Sequence, residues 1–336
     1  MNTQILETFK IRPATLQDIP PVVDLFNAYS RWQIGKDQYT VEEITTEWQS
    51  PGFELATDTQ VVFGSQGEPI AYIEFWDMGE PHVKFNAWGM VLPEFHGSGI
   101  GSTLLSWVEQ RARQSVALTP ADARVVLHQG VLSQNEAANA LLAEHGYQHI
   151  RSFYRMEIDF STPPPAPQIP EGLRFRSIQP GEERLAMRCA YDSFHDHWGF
   201  VAEPFDNYAN RWLHFIEHDK HYDPALWFIA LQGDQVAGVS LCKSHTGEDP
   251  AMAWVGTLGV HKEWRRQGLG LALLQHSFVE FYRRGKLRAG LGVDASSLTG
   301  ATRLYERAGM VVSRNHHLYE LELRTGKDLM TQTTGF

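Results

Sequence analysis

The chain has 336 residues, 43% of them hydrophobic and 12% aromatic, which excludes a disordered chain and sets the expectation of two packed domains. A formal net charge of −11 excludes the basic footprint of a nucleic-acid binder; it serves solubility, with cationic small molecules as the weaker alternative. Two cysteines, Cys189 and Cys242, form no CxxC pair and exclude a disulfide framework, so both read as small buried hydrophobes in a reducing cytoplasm. Met1 to Lys10 lack the apolar core of a signal peptide, and no run approaches the roughly 18 apolar residues of a membrane span, so a soluble cytoplasmic protein is expected.

In chain order, Phe9 to Ala14 alternates apolar and polar residues and reads as a half-buried first strand. A helical pattern follows through Ile19, Val22, Val23 and Phe26. Gln60 to Phe63 and Ile70 to Phe75 read as a hairpin turning at Gly64 to Gly67, and Phe85 to Val91 reads as the next strand. The turn His96-Gly97-Ser98-Gly99-Ile100-Gly101 then opens a helix whose apolar face carries Ile100, Leu104 and Val108. A strand at Arg124 to Leu127, a helix ending at Gly146 and a strand at Phe153 to Ile158 complete this half.

Residues 161–171 hold five prolines between Ser161 and Pro170 and read as a semi-rigid linker, since such a run continues neither a helix nor a central strand. The same order of elements then returns. Leu173 to Ile178 is a strand, a helical pattern runs through Leu185, Met187 and Ala190, and Leu226 to Ala230 with Val236 to Leu241 forms a hairpin. Met252 to Val260 leads into Arg265-Arg266-Gln267-Gly268-Leu269-Gly270, and Leu271, Leu274, Phe278 and Phe281 mark one face of the next helix. A strand at Ala289 to Val293, a helix ending at Gly309 and a strand at Leu318 to Leu323 close the copy. Gly99 and Gly268 lie 268 − 99 = 169 residues apart, as do Val91 and Val260 (260 − 91 = 169), so the chain reads as a duplication. The expected domains are residues 1–160 and 172–324, each of mixed α/β class with a largely antiparallel sheet, followed by a polar, frayed tail at 325–336.

A glycine turn between a strand and a helix start gathers backbone N–H groups and the positive helix end, which suits a phosphate. Two familiar phosphate binders do not fit. A dinucleotide fold places its glycines after the first strand of the chain, and a P-loop needs Gly-Lys-Ser/Thr; neither holds here.

The pattern Val260…Arg265-x-x-Gly268-x-Gly270 followed by Leu304-Tyr305-Glu306-x-x-Gly309-Met310 resembles the GNAT superfamily of acyl-CoA-dependent N-acyltransferases. The likeness covers about 150 residues of each half and is stronger in the second. Tandem pairs of this kind resemble mycothiol-synthase-like and other two-domain acetyltransferases. The resemblance implies acetyl-CoA as donor, no metal, and an amine acceptor. It further implies that a bulge splays the strand before the turn, so that Leu258 and Val260 pair with the pantetheine arm. Gln267, Gly268, Leu269 and Gly270 would hold the pyrophosphate, with Arg265, Arg266 and Ser297 completing the cofactor site. Tyr305 stands where the family places its acid, beside the thioester sulfur; the plainer reading is a buried aromatic next to Leu304 and Ala308.

For the general base the family often has a glutamate where this chain has Thr257, and threonine cannot take that role; Asp294, or a water chain to His195 or His197, is left. His195, His197 and Trp198 read as an acceptor-contacting loop with Thr257 nearby, against simple surface packing. Two histidines only two residues apart with no further ligand cluster make a metal site improbable. In the first half Val91, Gly97, Gly99 and Gly101 keep the turn, but His96 replaces Arg265, Trp88 replaces Thr257 and Leu142 replaces Tyr305. That half is expected to be degenerate, holding CoA at most. The function expected is transfer of an acetyl group to a primary amine by direct attack in the second half, in a monomer that is an internal pseudo-dimer or in a homodimer. The alternatives are acetylation of an amino-sugar thiol, or an acyl-CoA sensor without turnover.

Overall fold

A computed structural model describes residues 9–296 and 300–332. These fall into two units, Met1–Arg151 with His316–Leu329 and Ser152–Asn315 with Met330–Phe336.

The first unit starts with β1 (Lys10–Arg12) and α1 (Ile19–Ile34). Prolines in its first turn pre-set the helical φ of α1, and Gly35, left-handed at φ 75°, ends it by donating to the Arg31 carbonyl. A capping box between Thr40 and Glu43 starts α2 (Val41–Trp48). The short α3 (Leu55–Asp58) leads into β2 (Thr59–Phe63), β3 (Pro69–Asp77) and β4 (Lys84–Val91). Then come α4 (Ile100–Ser115), β5 (Val125–Leu132) and α5 (Glu136–Glu144), the last capped by the Asn135 side chain on the Ala138 amide. Strands β1 to β5 pair in chain order, antiparallel except for the parallel pair β4–β5.

Alternation along the strands divides the core into two faces. Ile73 and Phe75 point with Phe85 to α4, while Tyr72 and Met90 point with Phe26 and Trp48 to α1 and α2.

The second unit repeats this plan. It contains β7 (Leu173–Ser177), α6 (Glu183–Phe194), α7 (Phe205–His218), β8 (Trp227–Gln232), β9 (Gln235–Lys243), β10 (Met252–Val260), α8 (Leu269–Arg283), β11 (Arg288–Asp294) and α9 (Ala301–Arg307). Strands β7 to β11 pair in order, again antiparallel except for the parallel pair β10–β11. Phe278 and Phe281 of α8 pack with Leu291 on one face of the sheet, and Met187 and Ala190 of α6 pack with Ile229 on the other.

The units depart from the boundaries expected at residues 160 and 172. The last strand of each sheet is taken from elsewhere in the chain. In the first unit β5 pairs antiparallel with residues 316–324 of β12 (Val311–Arg324). In the second, β11 pairs antiparallel with residues 153–159 of β6 (Gln148–Asp159). Arg124, beside β5, adds ion pairs to Glu320 and Glu322 of β12. The tail is not frayed either over its described part. Arg124 donates its amide to the Lys327 carbonyl, and Thr331 exchanges backbone bonds with Gly199 and Phe200.

A fragment of residues 1–160 therefore lacks β12 and leaves the β5 edge bare. It is expected to show no cooperative thermal transition by circular dichroism under conditions where the whole chain is folded. An independent cooperative melt of that fragment would contradict the strand assignment.

Candidate active site

The second unit opens its sheet at one place. Strands β10 and β11 pair from Met252↔Arg288 to Val255↔Leu291 and no further, although β10 runs on to Val260 and β11 to Asp294. On its other side β10 follows β9, with one extra residue, Gly256, between the pairs Val255↔Cys242 and Thr257↔Leu241. That bulge increases the local twist and turns the end of β10 away from β11. Thr257, Leu258, Gly259 and Val260 thus have a strand partner on the β9 side alone.

The chain leaves β10 through a short 3-10 turn and reaches the glycine turn. Gly268 is left-handed at φ 84° and caps α8, and Arg266 is left-handed at φ 63°. A helix leaves its first amides without intrahelical acceptors, and here they stand at the open end of β10 with the positive end of α8. Gly270 has a packing role as well: a Cβ there would lie 3.2 Å from Leu304 of α9. In the first unit Gly101 stands likewise against Leu141, at 2.8 Å. The third glycine of each turn lets the following helix pack closely.

Arg265 is a strut. Its guanidinium makes a two-pronged pair with Asp196, donates to the Ser193 carbonyl at 2.8 Å, and places Nε 3.1 Å from the Val260 carbonyl. One side chain therefore ties the end of β10 to the end of α6. The pairing holds the Asp196 carboxyl below its ordinary pKa. Close contact continues beneath: a Cβ on Gly259 would meet Ser193 at 3.1 Å. The charge that sequence reasoning assigned to the cofactor at Arg265 is already engaged. Asp196 was visible between two histidines, but its partner lies 69 residues on, and no local pattern announces such a pair. In the first unit His96 takes the same place, with Nε2 3.0 Å from the Val91 carbonyl.

Tyr305 lies on α9 and is 8% exposed. Among the described residues no hydrogen bond meets its hydroxyl, and burial alone pushes its pKa up to about 12. Asp294 ends β11 and accepts from the Ser296 amide at 2.9 Å. His197 packs on Phe194 with ring centroids 4.4 Å apart. Burial lowers its pKa, opposed by the charges of Asp196 and Asp294. A ring brought down in this way is neutral at pH 7 and able to accept a proton.

His195 is exposed but sets its ring against Tyr191 and Phe200, both at 4.7 Å, and its carbonyl accepts from Thr331. It is thereby a packing element of the loop. Trp198 and Thr257 are half-buried. Ser297 lies outside the described residues. The hold of Met330 and Thr331 on the 199–201 loop was not foreseen, because the tail sequence carries no pattern of its own.

The first unit keeps part of this geometry. Its parallel pair β4–β5 ends at Ala87↔Gln129, Gly99 caps α4 at φ 85°, and Leu142 is buried where the second unit has Tyr305. Its β3–β4 ladder runs without a bulge from Ala71↔Val91 to Asp77↔Phe85. Among the described residues no three His, Cys, Asp or Glu side chains converge as a metal site, and no helix is long and apolar enough to cross a membrane.

A parted parallel strand pair beside a glycine-capped helix, present twice, defines a tandem acyl-CoA transferase architecture. The profile of the acetyltransferase (GNAT) family matches residues 21–147 and 186–310, and the chain belongs to that family. It is 31% identical over 224 residues to a mycothiol acetyltransferase of Thermobispora bispora, covering 66% of this chain and 70% of that one. A mycothiol acetyltransferase of Catenulispora acidiphila is 26% identical over 265 residues, 76% of this chain and 78% of the other. Among solved structures, a GCN5-related N-acetyltransferase from Sphaerobacter thermophilus superposes with a TM-score of 0.79 at 32% identity, over 97% of this chain and 98% of that one. A tandem GNAT protein of the clavulanic acid biosynthesis pathway shares the fold, with a TM-score of 0.70 at 16% identity over 94% and 99% of the two chains. The chain is an acetyl-CoA-dependent N-acetyltransferase.

The strut sets an energetic expectation. Asp196→Asn and Arg265→Lys each lose the two-pronged geometry, and a double-mutant cycle on thermal stability should return a coupling of about 1–2 kcal/mol for this partly exposed pair. The same variants should raise KM for acetyl-CoA about tenfold while kcat changes less. Additive stabilities with an unchanged KM would contradict this role.

Proposed function

We propose that acetyl transfer takes place in the second unit, on a primary amine. The reading is carried by one juxtaposition: the edge of β10 past Val255, the Gly268-capped start of α8 and the Tyr305 hydroxyl, which has no hydrogen-bond partner among the described residues, belong to one unit. In this reading the amides of Gln267, Gly268, Leu269 and Gly270 hold the pyrophosphate of acetyl-CoA. Leu258 and Val260 offer main-chain groups to the pantetheine arm. Arg265 acts indirectly, by fixing Val260 and the 195–201 loop.

The amine reaches the site protonated, since an ordinary alkylamine has a pKa near 10.4. It must give up one proton before its lone pair attacks the thioester carbon. Neutral His197, with Asp294 nearby, is the acceptor we favour, directly or through one water. As the new C–N bond forms, the C–S bond breaks with its electron pair left on sulfur, and the proton that the new amide nitrogen still has to shed passes to that thiolate, giving the free CoA thiol. Tyr305 donates a hydrogen bond to that sulfur. A phenol near pKa 12 facing a thiolate whose acid is near 8.5 would lose about 5 kcal/mol on full transfer, so Tyr305 stabilises the thiolate without giving up its proton. The first unit, without a tyrosine or a bulge at the matching places, supports the fold and does not turn over.

A second reading rests on the relatives named mycothiol acetyltransferases: the acceptor would be an amino-sugar thiol. Thr257 stands where the family often has a glutamate, which counts against that acceptor. Direct assay with an amino-sugar thiol and with simple amines decides between them, and release of free CoA with either disposes of a sensor without turnover. Both cysteines are buried and unpaired, in keeping with a reducing cytoplasm.

Replacement of one donor at a developing charge sets the central test. Tyr305→Phe should lower kcat about 100-fold, leave KM for acetyl-CoA within about twofold, and keep the fold. An unchanged kcat would remove Tyr305 from the chemistry.

A further inference from the structure

Residues 195–204 join α6 to α7 without regular structure. Where such a connection is buried, its backbone groups must find partners. Some lie close by: His197 donates its amide to the Phe194 carbonyl at 2.9 Å, and Phe200 donates to the His197 carbonyl at 3.2 Å. Others come from far along the chain. Arg265 grips Asp196 from the side of the glycine turn. Thr331 grips the other side.

Thr331 uses each of its polar groups on this loop. Its amide donates to the Phe200 carbonyl at 2.8 Å, and its carbonyl accepts from the buried Gly199 amide at 2.8 Å. Its hydroxyl donates to the His195 carbonyl at 3.1 Å. One residue earlier, Met330 is 5% exposed and forms an antiparallel bridge with Val201. The contacts fall on residues 195, 199, 200 and 201, so they bracket His197 on both sides in sequence. Gly199 is left-handed at φ 74°, which lets the chain turn back to meet Thr331.

We propose that Thr331, backed by Met330, is a positioning residue for acetyl transfer: it holds the 195–201 loop on the side opposite Arg265 and thereby fixes the His197 ring. Its effect on the rate presupposes that His197 takes the amine's proton, as proposed above. With the Asp196 anchor alone the loop could pivot about that pair. With two anchors the ring has one place, packed on Phe194. A shift of about 1 Å in a proton acceptor can cost about 100-fold in rate. The same hold keeps water from the ring. Burial is the main cause of its lowered pKa, aided by the charge of Arg265 and opposed by those of Asp196 and Asp294. A loosened loop relieves the burial, so the pKa rises toward the ordinary histidine value and the neutral base is lost at higher pH.

The test uses the whole chain, unaltered and as Thr331→Pro and Thr331→Ser. Proline removes the amide hydrogen and the hydroxyl, whereas serine keeps every donor and acceptor. In the unaltered chain the Gly199 amide should exchange with solvent at least about 100-fold more slowly than an open one, and in Thr331→Pro that protection should fall away. The His197 ring, followed by NMR and assigned by its loss in His197→Gln, should titrate at least about 0.5 pH unit higher in Thr331→Pro and unchanged in Thr331→Ser. With glucosamine and 1,4-diaminobutane as acceptor probes, the acid limb of kcat should move upward with it, while KM for acetyl-CoA stays within about twofold.

An unprotected Gly199 amide in the unaltered chain overturns the proposal without recourse to any variant, so a misfolded substitution cannot obscure the answer. A His197 titration that stays put in folded Thr331→Pro overturns it alone and leaves the reading of His197 as base intact. A titration that moves while the acid limb of kcat does not removes His197 from the chemistry, and the positioning role falls with it. A KM for acetyl-CoA raised as much as that for the amine marks a general structural role and also overturns it. Exchange and titration need no acceptor, so they decide even where neither probe is acetylated.

Discussion

A parallel strand pair that stops pairing part-way is the constraint on which the second unit depends. Past Val255, β10 keeps its bonds to β9 and loses those to β11. Backbone N–H and C=O groups left unpaired inside a fold are costly, so an open edge of this length must be served by something else. A thin ligand arm carrying amides serves it well. The bulge at Gly256 creates the parting, Gly259 lets α6 approach the strand, and Arg265 keeps the opened end from drifting. The glycine turn and Tyr305 then acquire meaning from their place beside the gap.

The two units show which parts of this arrangement can be exchanged. Each holds the carbonyl of the valine at the strand end with the side chain five residues on, an arginine in one and a histidine in the other. Each needs a glycine where the first turn of its long helix meets a leucine of the next. These features belong to packing and recur. The bulge, the Asp196 partner and the buried tyrosine belong to the second unit. In the first unit the matching face of the sheet is given over to aromatic rings, with Glu74 hydrogen-bonded to Tyr72 among them. Divergence after duplication has fallen on the residues facing the gap, while the framework has been kept.

Much of this was legible in the sequence. Strand alternation located the hairpins, and the 169-residue offset between Gly99 and Gly268 exposed the repeat. The glycine turns cap helices at φ 85° and 84°, because a left-handed residue between strand and helix nearly requires glycine. Helices α2 and α7 were not separated from the loops around them. Both are short amphipathic stretches whose apolar residues make sense only against the sheet. Asp196 and Tyr305 were in view, but the pairing of Arg265 with Asp196 was not. A charge beside a phosphate motif reads as a ligand-binding charge until its partner is known.

The sequence by itself determined the elements, their order, the duplication and the chemistry available at each turn, since these rest on local periodicity and on the conformational needs of glycine and proline. Only the tertiary structure decided which strand closes which sheet. Residues 316–324 pair with β5 and residues 153–159 with β11, and an edge strand carries no mark of its partner because backbone hydrogen bonds are the same for every sequence. The ion pair between positions 196 and 265 is of the same kind. Charge acts through distance in space, and a linear order of residues does not contain that distance.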